Sequence, residues 1–304
     1  MINIKIFKTE QEYLNSEKLF PQISNCLDTD RLWIEGQPVL CINEIVLKVK
    51  GRGSSPIVLY KGGMPSSDFV SSVMVDDIRQ PLSPGLILND NKEHIVRLGM
   101  LQDCNTLKGL FCLDDSENNT SEIDFTNFNF SSVKDVSYLF GNVSITNNNL
   151  KNIIWGDGTN LEGASFTNVA GLYCGCSSIN NFNYSIIKKA TGNDFSYMFY
   201  NCKALKTMLN FPWNNRALNC TSMFQNCSTL EDVSISTLGE NSNVTDMFNN
   251  VKHTGSMPYW DESKKQYQYG RLQIQSWYGS SLSSYENNEW INKMKGGTSW
   301  LLYK

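Results

Sequence analysis

Nine cysteines, two histidines and a few adjacent carboxylates are the residues of this 304-residue chain that could do chemistry. Cys174-Gly175-Cys176 sets two thiols too close for an unstrained bridge, and no second pair stands at C-x-x-C spacing to complete a zinc knuckle. His94 and His253 lack a cysteine or carboxylate companion at a recognisable metal or triad spacing, and read as solvated or edge residues. Asp76-Asp77, Asp114-Asp115 and Asp261-Glu262 are carboxylate pairs of the type a glycan hydrolase uses. Adjacency in sequence does not set the separation of ~5–10 Å that such chemistry needs, so these read as loop acids. G-x-G-x-x-G after a strand, P-loop, H-E-x-x-H and G-x-S-x-G motifs are absent from the sequence. The expectation is a non-enzymatic chain with no catalytic residues, no metal and no cofactor. A carboxylate-dependent glycan hydrolase is the enzymatic alternative.

The cysteines mean more as punctuation. Met198-Phe199-Tyr200-Asn201-Cys202-Lys203-Ala204-Leu205 recurs as Met223-Phe224-Gln225-Asn226-Cys227-Ser228-Thr229-Leu230, and Met247-Phe248-Asn249-Asn250-Val251 begins a further copy with Val for Cys. Backwards, Leu172-Tyr173-Cys174-Gly175-Cys176 and Leu139-Phe140-Gly141-Asn142-Val143 fit, and Met100-Leu101-Gln102-Asp103-Cys104 reads as a weaker first copy anchored on Leu101. Repetition at this period marks stacked architectures. A turn through Ser-Tyr-Met-Phe would put Met and Phe inside, Asn would shape the corner, and a short strand would follow, as at Val233-Ser234-Ile235. Val in the Cys slot implies a small buried side chain, so Cys104, Cys176, Cys202 and Cys227 are expected to be reduced and structural.

The Met-Phe-x-Asn-Cys-x-x-Leu unit resembles the BspA-like leucine-rich repeats found in surface proteins of Bacteroidetes. The resemblance covers about residues 98–254 and is most specific over 194–248. It implies a stacked solenoid with binding or adhesive roles and no shared active site. The expected fold is therefore α+β, with an irregular leucine-rich-repeat-like solenoid at 98–254. Before it, residues 1–97 read as a mainly β docking or capping domain. Its strand runs are 31–34, 38–42, 44–49 and 56–60, and Thr9 and Glu12 stand in capping-box spacing over a helix at 9–14. After it, residues 255–304 read as an aromatic-rich cap, with strands at 273–278 and 299–303 and a helix at 284–295.

A net charge of -4 with only 18% charged residues argues against nucleic acid as a partner, because phosphate binding needs clustered cations. No apolar run is long enough to span a bilayer, and the sequence from Met1 shows no secretory apolar region. The sequons at Asn219, Asn226 and Asn243 carry no weight in such an Asn-rich chain. What remains is a surface. Trp155, Phe211, Trp213 and Trp260 are the expected binding anchors for a protein or glycan. The expected setting is a phage virion assembled in the host cytoplasm, as a fibre, decoration or receptor-binding protein. In it the N-terminal domain would dock onto other virion proteins, and a homo-oligomer is compatible. A bacterial cell-surface adhesin or polysaccharide-binding protein is the extracellular alternative.

Overall fold

The computed structural model describes residues 43–113, 119–144, 150–180, 182–208, 211–212, 218–230 and 242–251. It further gives the strand backbones Ile4–Phe7, Ile23–Cys26, Arg31–Ile34, Gln37–Cys41, Asp232–Ile235, Pro258–Asp261, Gln266–Tyr269 and Leu272–Ile274. Strand Glu44–Lys50 sits inside a mixed six-stranded sheet, paired antiparallel with Glu93–Met100 on one side and Thr120–Asp124 on the other. Glu93–Met100 pairs in turn with Val70–Val75 and that strand with Ile78–Gln80, while Asn152–Ile154 forms a parallel edge on Thr120–Asp124. Side-chain alternation in 44–50 sets the faces: Ile45, Leu47 and Val49 are fully buried, and Ile45 and Leu47 lie in register with Leu98 and Val96. Asp76 (φ 48°) and Asp77 (φ 63°) make the two-residue turn between Val75 and Ile78, which requires left-handed backbone at both positions. The sheet takes strands from both sides of the boundary expected at 97/98.

Beyond the sheet, the repeats stack as turns. Phe111, Phe140, Tyr173, Phe199, Phe224 and Phe248 are buried in one column. Successive centroids are 6.4, 5.9, 5.4, 5.5 and 5.3 Å apart, and no interplanar angle exceeds 15°. Two residues before each anchor the backbone is left-handed, at Gly109, Tyr138, Gly171, Tyr197, Ser222 and Asp246. It is left-handed again two residues after four of them, at Gly175, Asn201, Asn226 and Asn250. Between these points alternate N–H groups aim along the stack. Tyr197, Phe199 and Asn201 donate to the carbonyls of Thr221, Met223 and Gln225, and Ser222, Phe224 and Asn226 donate to those of Thr245, Met247 and Asn249, all at 2.8–2.9 Å. Gly and Asn occupy such positions at low cost, which explains the Asn of the repeat. Gly171 is needed twice over, since a Cβ there would lie 2.3 Å from the Tyr138 ring.

The cysteine slot has its own bond. Cys202 donates its thiol to the carbonyl of Tyr173 at 3.1 Å and Cys227 donates to that of Phe199 at 3.0 Å, so each ties its repeat to the one before. Column and sheet face share one hydrophobic core that runs from Ile45 to Val251.

The expected α+β class with a leucine-rich-repeat-like solenoid is overturned. Regular structure is overwhelmingly strand, its largest unit is the mixed six-stranded sheet, and among the described residues the helical elements are the short 3₁₀ segments Pro65–Phe69, Thr159–Leu161 and Ile187–Lys189. The physical reason lies in the repeat itself. Left-handed residues before the anchor and, in four repeats, after it interrupt both the strand and the helix, so adjacent apolar residues such as Met198-Phe199 can both be buried. The first repeat also shifts. Its anchor is Phe111, which stacks on Phe140 and donates its N–H to Leu139, whereas Leu101 lies at the end of the sheet. Cys104 accordingly bonds locally, to the carbonyl of Thr106. The helices expected at 9–14 and 284–295 and the strand at 299–303 lie outside the described residues.

Phe224 fills the column between Phe199 and Phe248 and has no free surface. Phe224→Ala is expected to cost about 3–5 kcal/mol in urea unfolding, and a cost under about 1 kcal/mol would show that the column is not the core.

Candidate functional site

Two of the anchors expected from sequence, Trp155 and Phe211, are not on the surface. Trp155 is 2% exposed and stacks on Phe125 at 4.8 Å, with Phe130, Phe140 and Tyr173 around it. Phe211 is 5% exposed and packs edge-on against Tyr184, Phe195 and Phe199. Both fill the space beside the anchor column, so the binding role expected for them is withdrawn. Trp213 lies outside the described residues. Trp260 is in strand Pro258–Asp261, opposite Tyr267, and its side chain lies outside the description.

The reactive residues are equally committed. Cys104, Cys112, Cys174, Cys176, Cys202, Cys220 and Cys227 are free and buried. Burial pushes the Cys104 thiol up to about 12 and those of Cys174, Cys220 and Cys227 further still. At neutral pH these groups are thiols, which are poor nucleophiles. His94 turns out to have companions that the sequence spacing did not suggest. Its Nδ1 lies 2.7 Å from Asp76 Oδ2 and its Nε2 lies 2.9 Å from Asp90 Oδ1, so both nitrogens are spent on carboxylates and neither can activate a nucleophile. Lys48 bonds Glu122 Oε1 at 2.8 Å while Asn152 donates to Glu122 Oε2 at 2.7 Å. The carboxylate holds the Lys48 pKa above its ordinary value, and a charged ammonium cannot attack the neighbouring amide. Among the described residues, no three His, Cys, Asp or Glu side chains converge as metal ligands.

What the stack does present is an ordered polar edge. Asp135, Asn168, Asp194, Asn219 and Asn243 each accept, through Oδ1, the backbone N–H two residues further on. Thr106 starts the series with its hydroxyl, and single parallel bridges join Thr106 to Asp135 and on to Asn168, then Asp194 to Asn219 and on to Asn243. In Asn219-Cys220-Thr221 and Asn243-Val244-Thr245, the Thr hydroxyl donates to the Asn oxygen at 2.7 and 2.8 Å. Those sequon-like triplets are thus turn chemistry. Asp194 Oδ1 collects three donors: the N–H and hydroxyl of Ser196 and the amide of Asn219. Beside this edge runs an open groove of about 600 Å³ lined by Thr167, Asn168, Asn193, Asp194, Leu218, Asn219 and Asn243.

Three half-buried tyrosines belong to the same repeats, although none lines the groove. Tyr138 and Tyr197 occupy left-handed positions, which turn a bulky side chain away from the core, and Tyr200 lies against Tyr197 with centroids 5.7 Å apart. The Tyr138 ring lies over Gly171, and burial raises its hydroxyl pKa with help from the nearby charge of Asp194. The sequence signal for Tyr138 and Tyr197 was Ser-Tyr two places ahead of the anchor, a bulky residue where the backbone needs an outward-facing one.

Comparison with protein-family models, curated proteins and solved structures gives no match to this chain.

The His94 cluster predicts a pH signature. Hydrogen bonds that its ring donates to Asp90 and then Asp76 raise the His94 pKa above its ordinary 6.5, while those carboxyls are lowered from 3.8, Asp76 first by the Ile95 N–H and Asp90 first by His94. The histidine contribution is full below pH 6.5 and fades as pH rises through the raised value; the carboxylate contribution is full above pH 3.8 and fades as pH falls through the lowered values. His94→Gln should therefore lower the melting temperature at about pH 5.5 more than at about pH 9. Equal losses at both would contradict this assignment.

Proposed function

We propose that this chain is a non-enzymatic binding and structural protein whose stacked turns hold a polar face rigid for contact with a glycan or protein at a surface. The observation that carries this reading is the fixed edge of Asp135, Asn168, Asp194, Asn219 and Asn243, each locked by its own turn. Side chains immobilised before contact lose little entropy on binding, which favours recognition. Nucleic acid fits poorly, because the groove is lined by one carboxylate and no cation. Among the described residues no helix is long and apolar enough to cross a membrane.

The setting we favour is a phage particle assembled inside its host, with residues 1–97 as the docking part and the stacked turns displayed. Seven free buried thiols among the described residues support it, since such a chain folds most safely where thiols stay reduced. Labelling the chain in infected cultures and purifying the particles tests this. Recovery with the particles at constant copy number supports the reading. Recovery only from the cell envelope or the soluble extract contradicts it.

A further inference from the structure

The same polar face points to a chemical class of ligand. Resting on the binding reading above, we infer that the groove at Asn168, Asp194, Asn219 and Asn243, with Tyr138, Tyr197 and Tyr200 of the same repeats, is a site for a neutral carbohydrate chain.

Sugars offer two things at once, weakly apolar C–H faces and many hydroxyls that both donate and accept. Aromatic rings suit the first and fixed carboxamides and carboxylates the second. The tyrosines supply the rings from two repeats: Tyr138 from one, lying over Gly171 of the next, and Tyr197 and Tyr200 together from the repeat after that. Their hydroxyls have no hydrogen-bond partner among the described residues. The groove supplies the polar atoms. Asp194 spends Oδ1 on the turn and keeps Oδ2 as an acceptor, Asn243 uses Oδ1 on Thr245 and keeps its amide as a donor, and the exposed Asn193 keeps both. Turn bonds thus fix the orientation of Asp194 and Asn243 without using them up.

Charge selects among sugars. Asp194 in the groove and Asp135 one stretch earlier would repel uronate or sulfated chains, and no lysine or arginine lines the groove to offset them. A protein partner is the less suitable occupant. Protein interfaces are built around desolvated apolar anchors, whereas the large apolar side chains exposed among the described residues are Ile78, Leu82, Ile87 and Val143, none of which lines this groove. The rungs of the edge repeat at roughly a strand spacing of ~4.8 Å, close to the advance of one hexose along an extended chain, so successive sugars can meet successive polar groups.

The test is isothermal titration calorimetry of the full chain with cellohexaose, laminarihexaose, mannohexaose and xylohexaose, and with polygalacturonate as the anionic control. At least one neutral oligosaccharide should bind and polygalacturonate should not. Tyr197→Asn, whose new residue tolerates the left-handed backbone, and Tyr200→Ala should each weaken that binding about tenfold. Both should leave the melting temperature within a few degrees of the parent. Tyr197→Phe should keep most of the affinity. Absence of binding to every neutral oligosaccharide at millimolar concentration overturns the inference, as does binding that the tyrosine variants leave unchanged or a preference for polygalacturonate. Such failures leave the particle-location test untouched, so the ligand class and the broader binding role are judged separately.

Discussion

Left-handed backbone two residues before every anchor, and again two residues after four of them, is the constraint on which the stack depends. With Tyr197 and Asn201 at φ 56° and 59°, the N–H groups of Tyr197, Phe199 and Asn201 all turn toward the next repeat, and the Phe199 ring turns inward. The geometry then propagates. Ser222 and Asn226 repeat it one layer on, then Asp246 and Asn250, and rings spaced 5.3–5.5 Å apart follow from backbones held at hydrogen-bond distance. Residues without a β-branch dominate these sites: Gly, Asn, Tyr, Ser and Asp appear there and no Val, Ile or Thr does. Each non-glycine residue held this way carries strain of about 1 kcal/mol, which the buried ring and inter-repeat bonds must exceed.

Two kinds of side chain complete the layers. The buried thiols of Cys202 and Cys227 reach back to the carbonyls of Tyr173 and Phe199, and the Asx residues at the turn entry satisfy the N–H that the left-handed step leaves pointing outward. A thiol suits its place because it is small, tolerates burial and still donates weakly. Cysteine here is a packing and hydrogen-bonding residue, and burial holds its sulfur in the thiol form.

Much of this was legible in the sequence. The repeat, the inward Met-Phe pair, the strands near 44–50 and 232–235, the shaping role of Asn and the buried cysteines could all be read from residue types and spacing. The class was not, because Met-Phe-x-Asn-Cys marks a period without revealing whether the period is closed by helix, strand or turn; only the sign of φ decides that. The first repeat was misplaced because Met100-Leu101 and Leu110-Phe111 are both apolar pairs, and only the ring on Phe140 separates them. Two of the expected binding anchors, Trp155 and Phe211, failed for a related reason. Trp155 and Phe211 follow apolar runs as a surface aromatic would, yet the anchor column leaves gaps beside it that only large rings fill. His94 found its carboxylates through a hairpin turn and a loop, which one-dimensional spacing does not display. The polar face was visible only as an excess of Asn, Asp, Ser and Thr until the turn geometry ordered it.

The functional reading inherits its strength from that geometry, since a face of fixed carboxamides exists only if every turn keeps its handedness. Asn226, at φ 64° and partly exposed, isolates the point because its one side-chain bond is to Asn250 at the surface. The decisive measurement is the unfolding free energy of Asn226→Gly and Asn226→Val beside the parent. The account predicts that the glycine variant stays within about 0.5 kcal/mol of the parent while the valine variant loses about 2 kcal/mol or more. Equal losses for the two, or a valine variant as stable as the parent, would contradict the claim that left-handed turns hold the repeats together.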